Sequence, residues 1–329
     1  MINMLALIHN ETLKVLKKKR FYVILLILVV LIPVFTYAQM KIAQNSREKF
    51  DQDWRREITQ QIADYQNTLG SDRIPEEWKT MRRIMIQQLQ YYLDHDVNPN
   101  EPNGVTFTRT FMDNAVTLFI PLLIMAIASD IVSSERSTGT IKMLLTRPVR
   151  RWKILMSKWI VLMLFSGIIV LATALLSYLI SGAVFGYGGW SFPLFSGFNL
   201  SGSDVHVESV HMMPSWLYLL MQCGLIWFSS LVVAALSFMV SVLVRSTAAS
   251  IVTLMAVLIA GSILYNMASS WPTAKYLFMI NLNLTSYLAG SPPPVEGMTL
   301  GFSLIVLAVW GVIALLIAFR VFTKQDMLN

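Results

Sequence analysis

Charge is what this chain has least of. Only 14% of its 329 residues are Asp, Glu, Lys or Arg, 55% are apolar, and mean hydropathy is +0.57. Soluble domains carry roughly a quarter charged residues because their surfaces face water, so lipid must cover part of this one. Cysteine is nearly absent: Cys223 stands alone in an apolar run, which excludes a disulfide framework and a thiolate metal cluster. The four histidines all lie outside the apolar runs, and no H-E-x-x-H occurs, so intramembrane hydrolysis lacks a catalytic set. No G-x-x-x-x-G-K-[ST] phosphate loop is present either. The chain is not itself an ATPase.

What is abundant is long apolar sequence. A membrane helix needs about 20 apolar residues, and six runs qualify: Phe21–Ala38, Asn114–Val132, Trp159–Phe185, Ser215–Val244, Thr247–Met267 and Thr299–Val321. The first follows Lys17, Lys18, Lys19 and Arg20, yet it is long for a signal peptide and no A-x-A site follows it. Basic residues in the short loops set orientation. Five precede the first run and seven lie between the second and third, against none between the third and fourth. That distribution predicts both termini in the cytoplasm, an inner portion of +11 and an outer portion of −4, from an overall charge of +7. Nucleic-acid binding would need base-stacking aromatics in a basic patch, and none is arranged that way.

The expected fold is therefore an all-α membrane protein of six transmembrane helices. Residues 1–20 form a cytoplasmic amphipathic interface helix, with Leu5, Ile8, Thr12, Val15 and Leu16 on one face. Residues 21–38 are the first span, 39–113 an extracytoplasmic helical hairpin, 114–132 the second span and 133–158 a cytoplasmic loop. Residues 159–329 carry spans three to six, their outer loops and a short cytoplasmic tail. Within the runs only Asp130 and Arg320, both at cytoplasmic ends, are ionisable. Ion-coupled transporters place such groups near the midplane, so driving energy is not expected to enter there. Ser166-Gly167, Ser229-Ser230, Ala234-Ala235 and Gly261-Ser262 allow close helix packing, and Pro33 and Pro121 are expected to bend their spans.

Residues 39–113 hold 22 of the 45 charges. Phe50, Trp54, Ile58, Ile62, Tyr65 and Leu69 recur at helical spacing, Gly70-Ser71-Asp72 breaks the pattern, and Trp78, Met81, Met85, Leu89 and Tyr92 form a second stripe. These predict an antiparallel helical hairpin. No breaker separates Ala38 from Phe50, so the first span is expected to run outward as one helix, about 45 Å beyond its end. Further on, Asp204, His206, Glu208 and His211 are metal-competent side chains, and alternation in an extended strand puts the first three on one face. A solvated outer loop explains them equally. Gly182, Gly186, Gly188 and Gly189 mark a flexible exit from the third span.

The most informative stretch follows the second span: Glu135-Arg136-Ser137-Thr138-Gly139-Thr140-Ile141-Lys142-Met143-Leu144-Leu145-Thr146-Arg147-Pro148-Val149-Arg150-Arg151. Ile141, Leu144 and Leu145 share one side of a short helix that Pro148 stops, with basic residues around it. Such a helix can lie on the membrane surface or meet a cytoplasmic partner.

This pattern, with the amphipathic N-terminus, the outer insertion and the close last four spans, resembles the permease subunits of ABC-2 type ABC transporters across essentially the whole chain. The resemblance implies a coupling element made by Glu135, Gly139, Thr140, Ile141, Leu144, Leu145, Pro148, Arg150 and Arg151 that docks on a separate ATP-binding cassette subunit. It also implies a second permease chain, identical or related, and a bacterial cell-membrane location. ATP and magnesium would be bound by the partner, with no cofactor in this chain. The substrate expected is an amphiphilic, lipid-linked or peptide-like compound, exported. The competing reading is a membrane sensor or scaffold that uses the outer hairpin to bind a ligand or partner.

Overall fold

The computed structural model describes residues 3–51, 53–71, 74–140, 149–201, 204–244, 246–267 and 271–324. It is mostly helical. In chain order the helices are α1 (Met4–Lys17), α2 (Arg20–Lys49), α3 (Trp54–Leu69), α4 (Glu76–Asp94), α5 (Gly104–Ala115), α6 (Phe119–Ala128), α7 (Ser133–Ser137), α8 (Arg151–Phe185), α9 (Ser215–Leu243), α10 (Thr247–Met267) and α11 (Leu300–Lys324). Between α8 and α9 stand two small antiparallel ribbons. In one, β1 (Pro193–Ser196) pairs with β4 (His211–Pro214); in the other, β2 (Asn199–Ser201) pairs with β3 (Asp204–His206). Three short 3-10 turns lie within residues 272–287.

Among the described residues five helices are long and apolar enough to cross a membrane: α2, α8, α9, α10 within Thr247–Tyr265, and α11. The chain is a multi-pass membrane protein. The second apolar run departs from expectation. Instead of one helix over Asn114–Val132, two segments, Gly104–Ala115 and Phe119–Ser137, meet at 63° as a broken span or re-entrant segment. Pro121 explains the position of the break, because its ring clashes with the carbonyl four residues earlier, at Thr117, between the two helices. Pro33, by contrast, lies inside the continuous helix α2. At the next interruption, between α6 and α7, the freed amides of Val132 and Ser133 donate to Ser241 Oγ on α9 at 3.2 and 3.0 Å, and that hydroxyl donates to Ser129 O at 2.9 Å. One serine thus satisfies three backbone groups that hydrocarbon would leave orphaned.

The main core joins α1, α2, α5, α6, α8, α9 and α11 around Leu28, Ile120, Leu155, Leu162, Ile169, Phe238 and Phe322. A second cluster packs α9 and α11 against α10 and the 3-10 turns through Val233, Leu254, Leu284 and Leu307. Gly104 and Gly182 let α5 and α8 approach: a Cβ at Gly104 would stand 3.1 Å from Gly182 Cα. Gly182 therefore serves close packing rather than a flexible exit, while Gly186, with φ +93°, ends α8.

Residues 54–94 form the expected hairpin of α3 and α4, held by Ile58, Ile62 and Ile84. Two details differ. The long helix stops at Lys49, because Asp51 takes a left-handed backbone (φ 50°) and Asp53 caps α3 by accepting from Arg55 N at 3.0 Å. The extension beyond Ala38 is thus 11 residues, about 16 Å, and not 45 Å. The inner edge of α4 runs through Ile84, leaving Trp78 and Met81 exposed. The hairpin is anchored to the later outer loops: Gln87 Oε1 accepts from Val205 N at 2.9 Å, Gln88 Nε2 donates to Gly290 O at 2.7 Å, and Tyr92 OH accepts from Phe195 N at 3.2 Å.

Candidate functional site

The chemistry concentrates where α1 meets α7 and the start of α8. Helix α1 buries Leu7, Glu11 and Val15, four residues apart and so on one face. Leu5, expected on the apolar face, is 71% exposed. A carboxylate on a buried helix face requires a partner, and α8 supplies it. Lys158, 1% exposed, donates to Glu11 Oε2 at 2.7 Å, to Glu135 Oε1 at 2.8 Å and to Ile131 O at 3.3 Å. An ammonium has three protons, and here each has an acceptor. Lys14 completes the set with Glu11 Oε1 at 2.6 Å and Glu135 Oε1 at 2.8 Å. The result is a neutral quartet of two lysines and two glutamates tying three segments together.

Beside it, Asp130 receives Lys18 at 3.0 Å and Arg20 at 3.2 Å, and Thr247 of α10 donates to it at 3.4 Å. Lys18 also reaches Ser134 Oγ at 2.5 Å. A cavity of about 20 Å³ lies among these groups, enough for one water. Burial works against the charge on Lys14, but the carboxylates of Glu11 and Glu135 outweigh it and hold its pKa above the ordinary lysine value. A guanidinium–carbonyl contact from Arg136 to Val242 fixes α7 to the end of α9. Another, from Arg151 Nη1 to Thr323 O at 3.4 Å, brings the end of α11 to the same pole of the bundle.

The nine residues expected to form the coupling element separate into four groups. Glu135 does not present itself outward; it is 6% exposed and belongs to the quartet. Gly139 takes φ +71° just after α7, and Thr140 Oγ1 donates back to Glu135 O at 3.4 Å, so both shape the exit from that helix. Arg150 is the exposed N-cap residue just before α8, and Arg151 bonds to α11. Ile141, Leu144, Leu145 and Pro148 lie outside the described residues. The metal-competent outer residues do not converge. Asp204, His206 and Glu208 are exposed, His211 lies across the other ribbon with Nδ1 3.2 Å from Ser209 O, and among the described residues no group of three ligands could hold a metal.

Sequence reasoning missed two features. Glu11 and Lys158 each counted only as charges near a membrane surface; the signal was that both interrupt apolar faces. The second is a polar site inside the broken span. Because that span begins at Gly104, Arg109 and Asp113 belong to it, which corrects the expectation that only Asp130 and Arg320 were ionisable there. Gln222 of α9, fully buried, donates to Asp113 Oδ1 at 2.7 Å and to Arg109 O at 3.0 Å, and the Arg109 guanidinium lies 5.6 Å from the Tyr218 ring.

Residues 79–328 match a family described as "Protein of unknown function (DUF2705)". The chain belongs to this family. It is similar to the uncharacterized protein YhcI of Bacillus subtilis (strain 168), 31% identical over 99% of this chain and 100% of that one. It is also similar to the uncharacterized membrane protein YdbK of the same organism, 27% identical over 64% of this chain and 79% of that one. These findings overturn the resemblance to ABC-2 type permeases as a family assignment: the match is to DUF2705. The physical reason is that a short basic segment with an apolar face and a closing proline suits any loop lying on a membrane between two spans, so the motif discriminates poorly.

Proposed function

We propose that this DUF2705 chain is the membrane-spanning subunit of a transport complex driven by a separate cytoplasmic ATP-hydrolysing protein. It spans the bacterial cell membrane six times, counting the broken pair as one span, with both termini inside. It works beside a second copy or a related chain and moves an amphiphilic or peptide-like compound outward. ATP and magnesium belong to the partner.

The observation that carries this reading is the buried quartet. Glu11, Lys14, Glu135 and Lys158 join the amphipathic helix α1, the segment α7 and the base of α8 into one unit, directly beneath the exposed turn at Gly139 and the start of α8 at Arg150. A partner pressing on that turn moves α1 and α8 together, because a neutral, desolvated charge cluster resists being pulled apart. The basic inner surface complements an acidic partner, and the missing phosphate loop means ATP must be hydrolysed elsewhere.

The test is purification of the full chain in nanodiscs from its native membrane. The reading expects stoichiometric co-purification of a phosphate-loop polypeptide whose ATP hydrolysis the chain stimulates, and loss of both with Arg150→Glu. A chain that purifies without such a polypeptide, or leaves its hydrolysis unchanged, contradicts it.

A further inference from the structure

At the opposite pole from the quartet lies a much larger cavity, about 730 Å³. Sites that enclose drug-sized molecules span roughly 300–1,000 Å³. One wall is the outer end of α2 with the start of α3; the other is the loop 98–103 with the first turns of α5. The end of α8 contributes Phe185, which stacks on Phe107 with ring centroids 6.2 Å apart. Phe50 and Trp54 add half-buried aromatic surface from the break between α2 and α3. The break that ends α2 at Lys49 therefore also brings these two rings to the cleft.

The polar lining is unbalanced. Asp53, Glu57 and Glu101 face one basic residue, Arg47. Asp53 is occupied, capping α3 and standing 3.5 Å from Arg56 Nε. Among the described residues Glu57 and Glu101 form no ion pair, although the hairpin around them pairs Arg55 with Asp96 and Arg56 with Asp51. Lys49 and Arg55 already stand over the Phe50 and Trp54 rings, 5.0 and 4.8 Å from their centroids, so the selection for positive charge on an apolar body rests on the two uncommitted carboxylates, with the rings supplying apolar surface.

We propose that this cleft binds an organic monocation with an apolar body, its charge facing Glu57 and Glu101 and its body resting on Trp54, Phe50 and the Phe107–Phe185 stack. The assignment stands on the cleft alone and does not depend on the transport reading.

The experiment uses two probes of matched size and opposite charge, tetraphenylphosphonium and tetraphenylborate. They are titrated into the full chain in phosphatidylcholine nanodiscs, read by isothermal calorimetry and Trp54-sensitive fluorescence, with empty discs subtracted. The expected result is saturable binding of the cation and none of the anion. Glu57→Gln with Glu101→Gln weakens the cation about tenfold, and Arg47→Gln tightens it about threefold. Ser46→Trp, which fills the cleft from α2, abolishes binding; because the paired glutamine changes sit on accessible side chains, they keep the test valid if that variant misfolds. No saturable binding of the cation, equal binding of both probes, or binding unchanged by the paired glutamines overturns the proposal.

Discussion

The two poles of this protein use the same four charged residue types to opposite ends. At the α1–α7–α8 pole the carboxylates and one lysine are buried: Lys158 is 1% exposed and spends all three protons on Glu11, Glu135 and Ile131 O, while Lys14, Lys18 and Arg20 reach in from partly exposed positions. At the hairpin pole, charges are many, exposed and paired loosely or not at all; the Arg55–Asp96 pair is 54% and 66% exposed. Burial decides what a charge is worth. In low dielectric an ion pair holds because separating it strands a charge, whereas in water the same pair contributes little. The quartet pole is therefore a buried ionic joint between α1, α7 and α8, and the hairpin pole is a surface whose charges remain available.

Three substitutions probe this contrast. Lys158→Ala strands Glu11 and Glu135 and is expected to cost about 3–5 kcal/mol, measured as lost unfolding free energy in mixed detergent. Ile84→Ala, which removes the fully buried contact of α4, should cost about 2–4 kcal/mol, with faster amide exchange confined to α3 and α4. Asp96→Asn at the exposed outer pair should change stability by less than about 0.5 kcal/mol. An outer effect as large as that of Lys158→Ala would erase the distinction.

The smallest expected effects are in pH dependence, and they run in opposite directions. Lys14 has a pKa raised above its ordinary 10.5, so its contribution is complete below 10.5 and lost as pH rises through the higher value. The hydrogen bond and charge of Lys79, with Arg83 adding, hold Glu76 below its ordinary 4.5. Its contribution is present above 4.5 and lost as pH falls through the lower value. Melting curves of Lys14→Met and Glu76→Gln should therefore converge on the parent's at the alkaline and acid ends respectively.

Much of the layout was legible from residue patterns. Five apolar runs, the helical hairpin with its turn near Gly70 and the amphipathic N-terminus all follow from periodicity that a single helix face must satisfy. The rest depended on tertiary partners. An apolar run that starts at Asn114 leaves out Arg109 and Asp113, yet Gln222, far along the chain, donates to the Asp113 carboxylate and the Arg109 carbonyl inside the broken span. The apolar face of α1 was misplaced because Glu11 counts as polar until Lys158 stands opposite it. The strands around Asn199 and His211 are only three or four residues long, too short for alternation to declare them. The loop motif does not specify lineage: the family match is to DUF2705, its Glu135 is buried, and residues 141–148 lie outside the described residues.

If Glu11, Lys14, Glu135 and Lys158 act as one unit, a double-mutant cycle between Glu11→Gln and Lys158→Met exposes the coupling. Unfolding free energies of the parent, both single variants and the pair give the coupling. The quartet predicts that the double variant is destabilised less than the two single losses combined, by about 1–3 kcal/mol. Additivity within about 0.5 kcal/mol would show instead that the two residues act independently, and the joint between α1 and α8 would not exist.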